Sequence, residues 1–310
     1  MLLRSSYGGI LLAAGAYLAW GFLPLYLRLL RDVPPLQLLA HRVVWALGFC
    51  AVVMTLAGAW SSVLRALRAR GVLLSFALSA ALLMLTWLTY IWAVNNDHTV
   101  EASLGYFITP LVNVALGVIL LKERPSAGQW VAILIAAVGV AYLALAYGAF
   151  PWIGLLLGVS FSVYGLLRKR APLGSLAGLT VETALSALVA APYLTLVESS
   201  GQGIFVGASP GRQLLLLAAG VVTAVPLLLF AASARRMPLT VLGVLQYLSP
   251  TIQFLVGVLV FNEPFNQQRL LGFGIIWLSL LFFTVEGIWR SQQHLAALRA
   301  TAPRACPEAK

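Results

Sequence analysis

Apolar runs of about 20 residues follow one another along almost the whole chain, separated by short polar breaks. Each is long enough to cross a hydrocarbon core of roughly 30 Å as a helix. With 61% apolar residues, 9% charged residues and a mean hydropathy of +0.94, the chain has too few charges to cover a soluble surface. The pattern predicts an all-α integral membrane protein. Ten spans are expected, at about 8–30, 36–57, 71–94, 99–121, 128–147, 150–167, 176–197, 213–234, 238–261 and 268–288. The first resembles a signal peptide, but its apolar stretch is long and further spans follow, so it is read as a retained span. Segment 58–70 reads as a loop, and the polar tail from 289 to 310 begins with a stretch that suits a helix lying on the membrane surface.

The net charge of +11 does not signal nucleic acid, because the basic residues sit in connections without interleaved exposed aromatics. Their sidedness is informative instead. With ten spans, one side collects Arg4, Arg65, Arg68, Arg70, Lys122, Arg124, Arg168, Lys169, Arg170, Arg235, Arg236, Arg290, Arg299, Arg304 and Lys310. The other side keeps Arg28, Arg31, Arg212 and Arg269. The positive-inside rule then puts both termini in the cytoplasm. Cys50 lies in a span and Cys306 in the tail, with no metal or redox spacing. No phosphate-binding loop is present, which argues against direct ATP drive, and no cofactor is expected.

Two spans match at an offset of 140 residues: LGYFITPLVNVALGVILLKE (104–123) and VLQYLSPTIQFLVGVLVFNE (244–263). Pro110 aligns with Pro250, Gly117 with Gly257, and Glu123 with Glu263. Phe107 and Tyr247 precede the prolines, and Asn113 and Gln253 follow them. Tyr17, Trp20 and Gly21 in span 1 likewise match Phe161, Tyr164 and Gly165 in span 6. The chain therefore divides into an N-terminal segment 1–7, repeats at 8–147 and 150–288, and the tail. Five spans per repeat force the second copy to insert upside down, as in many transporters. Each proline removes a backbone donor and is expected to interrupt its helix. Such breaks are tolerated at depth where protein or a water-filled cavity satisfies them.

These breaks focus attention on nearby polar groups. Tyr106, Pro110, Asn113 and Gly117 share one helical face, and Gln246, Pro250, Gln253 and Gly257 repeat the spacing. The amides either line a cavity or act as interhelical glue. His41 and Arg42 lie inside span 2, where charge is costly and usually functional; His41 makes a proton a candidate coupling ion, against a plain packing role. Glu182 occupies the matching place in span 7. Asp97, His98 and Glu101 lie together, but helix capping explains them better than a metal does. The expected solute site comprises Tyr17, Trp20, His41, Arg42, Tyr106, Asn113, Tyr164, Gln246 and Gln253. Pro110, Pro250, Gly117, Gly257, Glu123 and Glu263 are expected to form breaks and gates. Gly154-x-x-x-Gly158 and Ala132-x-x-x-Ala136 read as close helix packing.

The stretch AVNNDHTVEASLGYFITPLVNVALGVILLKE (93–123), with AHRVVWA (40–46), AAGVVTAVPLL (218–228) and FPWIGLLLGVSFSVYGLLRK (150–169), closely resembles RarD-type EamA-like permeases of the drug/metabolite transporter superfamily, often called chloramphenicol-sensitive proteins. Thr109 departs from that pattern, where an asparagine is expected. The resemblance covers roughly residues 8–288. It implies a ten-helix carrier of the bacterial inner membrane in which helices 1, 3, 4, 6, 8 and 9 surround a central cavity. Relatives move amino acids, nucleotide-linked sugars or drug-like metabolites. The expected function is secondary transport of a small amphipathic solute, not enzymatic. A membrane-embedded lipid-acting enzyme and a non-transporting receptor or regulator are the alternatives; the first finds no catalytic constellation, and the symmetric proline helices argue against the second.

Overall fold

The computed structural model describes residues 2–96, 98–148, 150–262 and 267–301, and every regular element among them is helical. Ordered along the chain are α1 (Leu2–Arg28), α2 (Pro35–Leu56), α3 (Trp60–Arg68), α4 (Arg70–Asn95), α5 (Thr99–Leu121) and α6 (Ala127–Tyr147). There follow α7 (Trp152–Arg170), α8 (Ser175–Ser199), α9 (Pro210–Ala234), α10 (Leu239–Gln246), α11 (Leu248–Leu259) and α12 (Gln267–Thr301). Nine segments of the described residues are long and apolar enough to cross a membrane, with Leu239–Leu259 counted as one. The helix α7, where a further span is expected, ends in Arg168, Lys169 and Arg170 and is not among the nine.

Local chemistry sets the ends. Ser126 and Gln129 form a capping box that starts α6, and Gly148 closes it in the left-handed region at φ 79°. Ser209 caps α9, whose first residue is Pro210, so this helix begins earlier than the apolar pattern alone suggests. Large apolar side chains point outward, with Leu56 83% and Leu145 81% exposed, as a surface that meets lipid requires.

Packing follows a repeated scheme. The helix α5 lies on α7, and α11 lies on α1; α1 packs on α9, and α7 on α4; α2 faces α8, and α6 faces α12. Small residues permit the closest crossings. A Cβ added at Gly154 would fall 3.0 Å from the Glu101 carbonyl oxygen, and one at Gly158 3.2 Å from the Thr109 nitrogen. Ala132 and Ala136 are buried against α12, where the Ser279 hydroxyl donates to the Ala132 carbonyl at 2.6 Å. Gly220 of α9 is tighter still: a Cβ there would lie 2.2 Å from the Trp45 carbonyl carbon of α2.

Three expectations change. The segment 58–70 contains the short helix α3, which buries Val63 and Ala66 and exposes Arg65 and Arg68. The polar stretch after Trp289 continues α12 without a break to Thr301, so it is not a separate surface helix. Most importantly, α5 runs unbroken through Pro110. Its counterpart does break, at Tyr247, between α10 and α11. The two non-glycine residues with positive φ among the described residues are Lys122 at 56° and Asn262 at 51°, again 140 positions apart, each ending a proline helix.

Candidate functional site

A cavity of about 160 Å³ lies among α1, α2, α4, α5, α7, α9 and the α10–α11 pair. In nearly all of these elements its lining runs from mid-helix toward the end opposite the start of α1. Aromatic rings form much of the wall: Tyr17, Trp20, Trp87, Tyr90, Tyr106 and Phe161. Trp20 stands edge-on to Phe161 at 5.7 Å between centroids, and Tyr90 edge-on to Tyr106 at 6.1 Å. Polar groups are few: Arg42, Thr86, Thr109, Thr223, Gln246, Ser249 and Gln253. This balance, mostly apolar with a small number of placed polar groups, suits a small amphipathic solute.

The prolines account for part of that placement. At the turn between α10 and α11 Tyr247 keeps right-handed dihedrals (φ −60°, ψ −15°), and Gln246, Ser249, Pro250 and Gln253 around it all reach the cavity. Gln253 Nε2 donates to the Trp20 carbonyl at 3.1 Å, tying α11 to α1. On the α5 side, Thr109 Oγ1 donates back to the Gly105 carbonyl at 2.6 Å, a bond that leaves the helix intact.

Six of the nine expected site residues line the cavity: Tyr17, Trp20, Arg42, Tyr106, Gln246 and Gln253. Asn113 does not. It is fully buried and donates from Nδ2 to Gln246 Oε1 at 2.9 Å, so it holds a lining residue from behind. Tyr164 is also fully buried, stacked on Phe230 at 6.1 Å and directed to Glu182. His41 packs on Phe205 and accepts at Nδ1 from Trp45 Nε1 at 3.1 Å, outside the cavity. Glu182 does not approach Arg42; it pairs with Arg168 at 3.5 Å and accepts from the Ser79 hydroxyl. Glu101, in the first turn of α5, also accepts from the Ile153 amide at 2.8 Å and so reaches the start of α7.

Sequence reasoning gave no site role to Trp87, Tyr90, Phe161 or Thr223. Phe161 carried a signal, since it matches Tyr17 in the repeat. Trp87 carried none, because its value comes from Arg42, whose guanidinium lies 4.9 Å over its ring.

Opposite the cavity the bundle is shut by polar contacts. Lys122 in its left-handed conformation turns Glu123 onto the start of α10, where its carboxylate accepts from the amides of Leu239 at 2.7 Å and Thr240 at 2.8 Å. Lys169 lies 3.9 Å from the same carboxylate and donates to the Ala234 carbonyl at 3.2 Å. Ser233 Oγ donates to the Gly9 carbonyl at 2.8 Å, and Arg170 to the Leu120 carbonyl at 2.9 Å. A Cβ at Gly117 would meet Glu123 and Thr240, so this glycine makes room for the contact. Glu263, the partner expected for Glu123, lies outside the described residues.

Comparison with known proteins gives this arrangement a context. The profile of the EamA-like transporter family matches residues 7–145. Protein RarD of Streptomyces exfoliatus is 42% identical over 295 residues, covering 95% of this chain and 94% of the relative. An uncharacterized transporter of Bacillus subtilis, YojE, is 44% identical over 92% of this chain and 97% of its own. One crystal structure shares the fold with a TM-score of 0.68 and 22% identity, over 89% of this chain and 97% of that one.

Proposed function

We propose that this chain, which belongs to the RarD-type, EamA-like transporter family, carries a small amphipathic metabolite or drug-like solute by alternating access. The family makes it a multi-pass membrane transporter of the bacterial inner membrane. The cavity carries the finer reading, because it is walled by helices from both halves of the sequence and shut at one end by contacts between those halves. Ten spans in two inverted five-helix repeats are the architecture we assign, with α7 as the sixth span and α10–α11 together as the ninth. The paired packing scheme and the left-handed residues Lys122 and Asn262 support that symmetry. Both termini then face the cytoplasm, the shut end is cytoplasmic, and the cavity belongs to the outward half.

The two halves would rock about the solute, breaking the Glu123 and Ser233 contacts to open the inner end. The name of a further relative, chloramphenicol-sensitive protein RarD of Pseudomonas aeruginosa, is in keeping with a drug-like solute. A disulfide tests this. A Cβ at Gly9 would lie 3.5 Å from the Met237 Cβ, within bridging range. In a background with Cys50 and Cys306 replaced by serine, oxidised Gly9→Cys/Met237→Cys protein in liposomes is expected to lose solute exchange and to recover it on reduction. Undiminished exchange by the oxidised protein would defeat the rocking scheme.

A further inference from the structure

Among the described residues Arg42 is the only charged one in the cavity wall, and no carboxylate of theirs lies within 4.0 Å of it. Its Nε donates to Thr223 Oγ1 at 2.9 Å, and one guanidinium face covers Trp87. These two contacts fix the plane of the group. They leave both terminal nitrogens without a hydrogen-bond partner among the described residues, and the partly buried side chain lines the cavity. Three other cations of the bundle do have a carboxylate. Arg168 has Glu182, Lys169 has Glu123, and Arg212 has Asp32 at 2.7 Å.

A guanidinium kept at membrane depth without an anion is expensive, and its planar fork matches a carboxylate with two parallel hydrogen bonds. We infer that the transported solute is an organic anion, a small carboxylate whose acid group pairs with the free edge of Arg42 and whose apolar, ring-bearing body lies among Trp20, Tyr90, Tyr106 and Phe161. The inference rests on reading the cavity as the solute site. It also disfavours a class. No acidic side chain of the described residues lines the wall, so the ammonium group of a zwitterionic amino acid would have only hydroxyls, amide oxygens and ring faces to meet beside Arg42.

The test is thermal unfolding of the purified full-length protein against three matched series: aromatic monocarboxylates, their neutral primary amides, and the corresponding α-amino acids. Binding to the native state raises the midpoint, by an amount that grows with the logarithm of affinity. Saturable shifts with the acids are expected, with amides and amino acids binding at least about tenfold more weakly. Arg42→Gln should erase the preference for the acid. The acid-against-amide comparison on the unaltered protein decides the matter even if that variant fails to fold. Amides or amino acids that bind as well as the acids overturn the anion and leave the cavity standing as a solute site. A flat response to all three series overturns both.

Discussion

The helices α5 and α10–α11 carry the same residue code and come to different ends. Both have proline at the middle, glycine seven residues later and an aromatic three residues before. Yet α5 stays whole through Pro110, and its counterpart turns at Tyr247. The copies differ in which donors serve the carbonyl three residues before each proline. The Tyr247 hydroxyl donates to the Phe107 carbonyl at 3.2 Å, so the broken helix supplies a donor to the intact one. Phe107 has no hydroxyl to return the bond. The Tyr247 carbonyl is served instead by its own helix, through Thr251 Oγ1 at 2.8 Å, where α5 has Leu111. Two substitutions between equivalent positions thus tell the copies apart, and the copy that breaks places its amide, Gln253, in the cavity. Asn113, the amide of the copy that does not, is packed away.

The comparison can be broken by crowding the place where the two helices meet. A Cβ on Gly243 would fall 2.7 Å from the Pro110 carbonyl oxygen and 2.9 Å from the Asn113 Cβ. Gly243→Ala should therefore cost about 2–3 kcal/mol, read as a fall in the unfolding midpoint. Asn113→Ala comes next, at about 2 kcal/mol. It leaves Gln246 Oε1 buried without its donor, although it also removes the unpaired Asn113 Oδ1, which offsets part of the loss. Unaltered stability with lost transport would show that Asn113 reaches the solute after all. Gln253→Ala should do the reverse: solute exchange falls about tenfold, equivalent to about 1.4 kcal/mol, while membrane abundance holds. The smallest effect belongs to Tyr247→Phe, at about 1 kcal/mol for one hydrogen bond. If that variant matches the parent in denaturant, the donation to Phe107 does not explain why α5 stays whole.

Much of the architecture follows from the pattern of apolar residues, because a membrane gives the backbone few choices besides helix. The span expected at 99–121 coincides with α5. What the pattern hides is tertiary. Tyr106 and Asn113 share a helical face, but two turns separate them, and that distance carries the face from the open cavity to the place where Gly243 lets α10 come close. Spacing identifies the stripe without saying which neighbour each part of it meets. The helix α3 was hidden for another reason. Its nine residues are too few and too mixed to register beside the long apolar runs, though Val63 and Ala66 already lie three apart on one side. Arg42 stood out from its sequence position, because few explanations exist for such a charge inside a span. That no carboxylate of the described residues reaches it appears only in the folded structure.

The crossing at Gly220 also bears on mechanics. There α9 meets α2 backbone to backbone, with no side chain between them to bend or slide. Such a joint, between one helix of each half, suits a pivot for the proposed rocking. Arg42 and Thr223 sit on its two members, within a turn of the crossing, so under that scheme the guanidinium would stay near the axis while other helices swing. The turn at Tyr247 offers a second place to bend. The molecule would then hold the charge at its pivot and present Gln253 from a helix that moves.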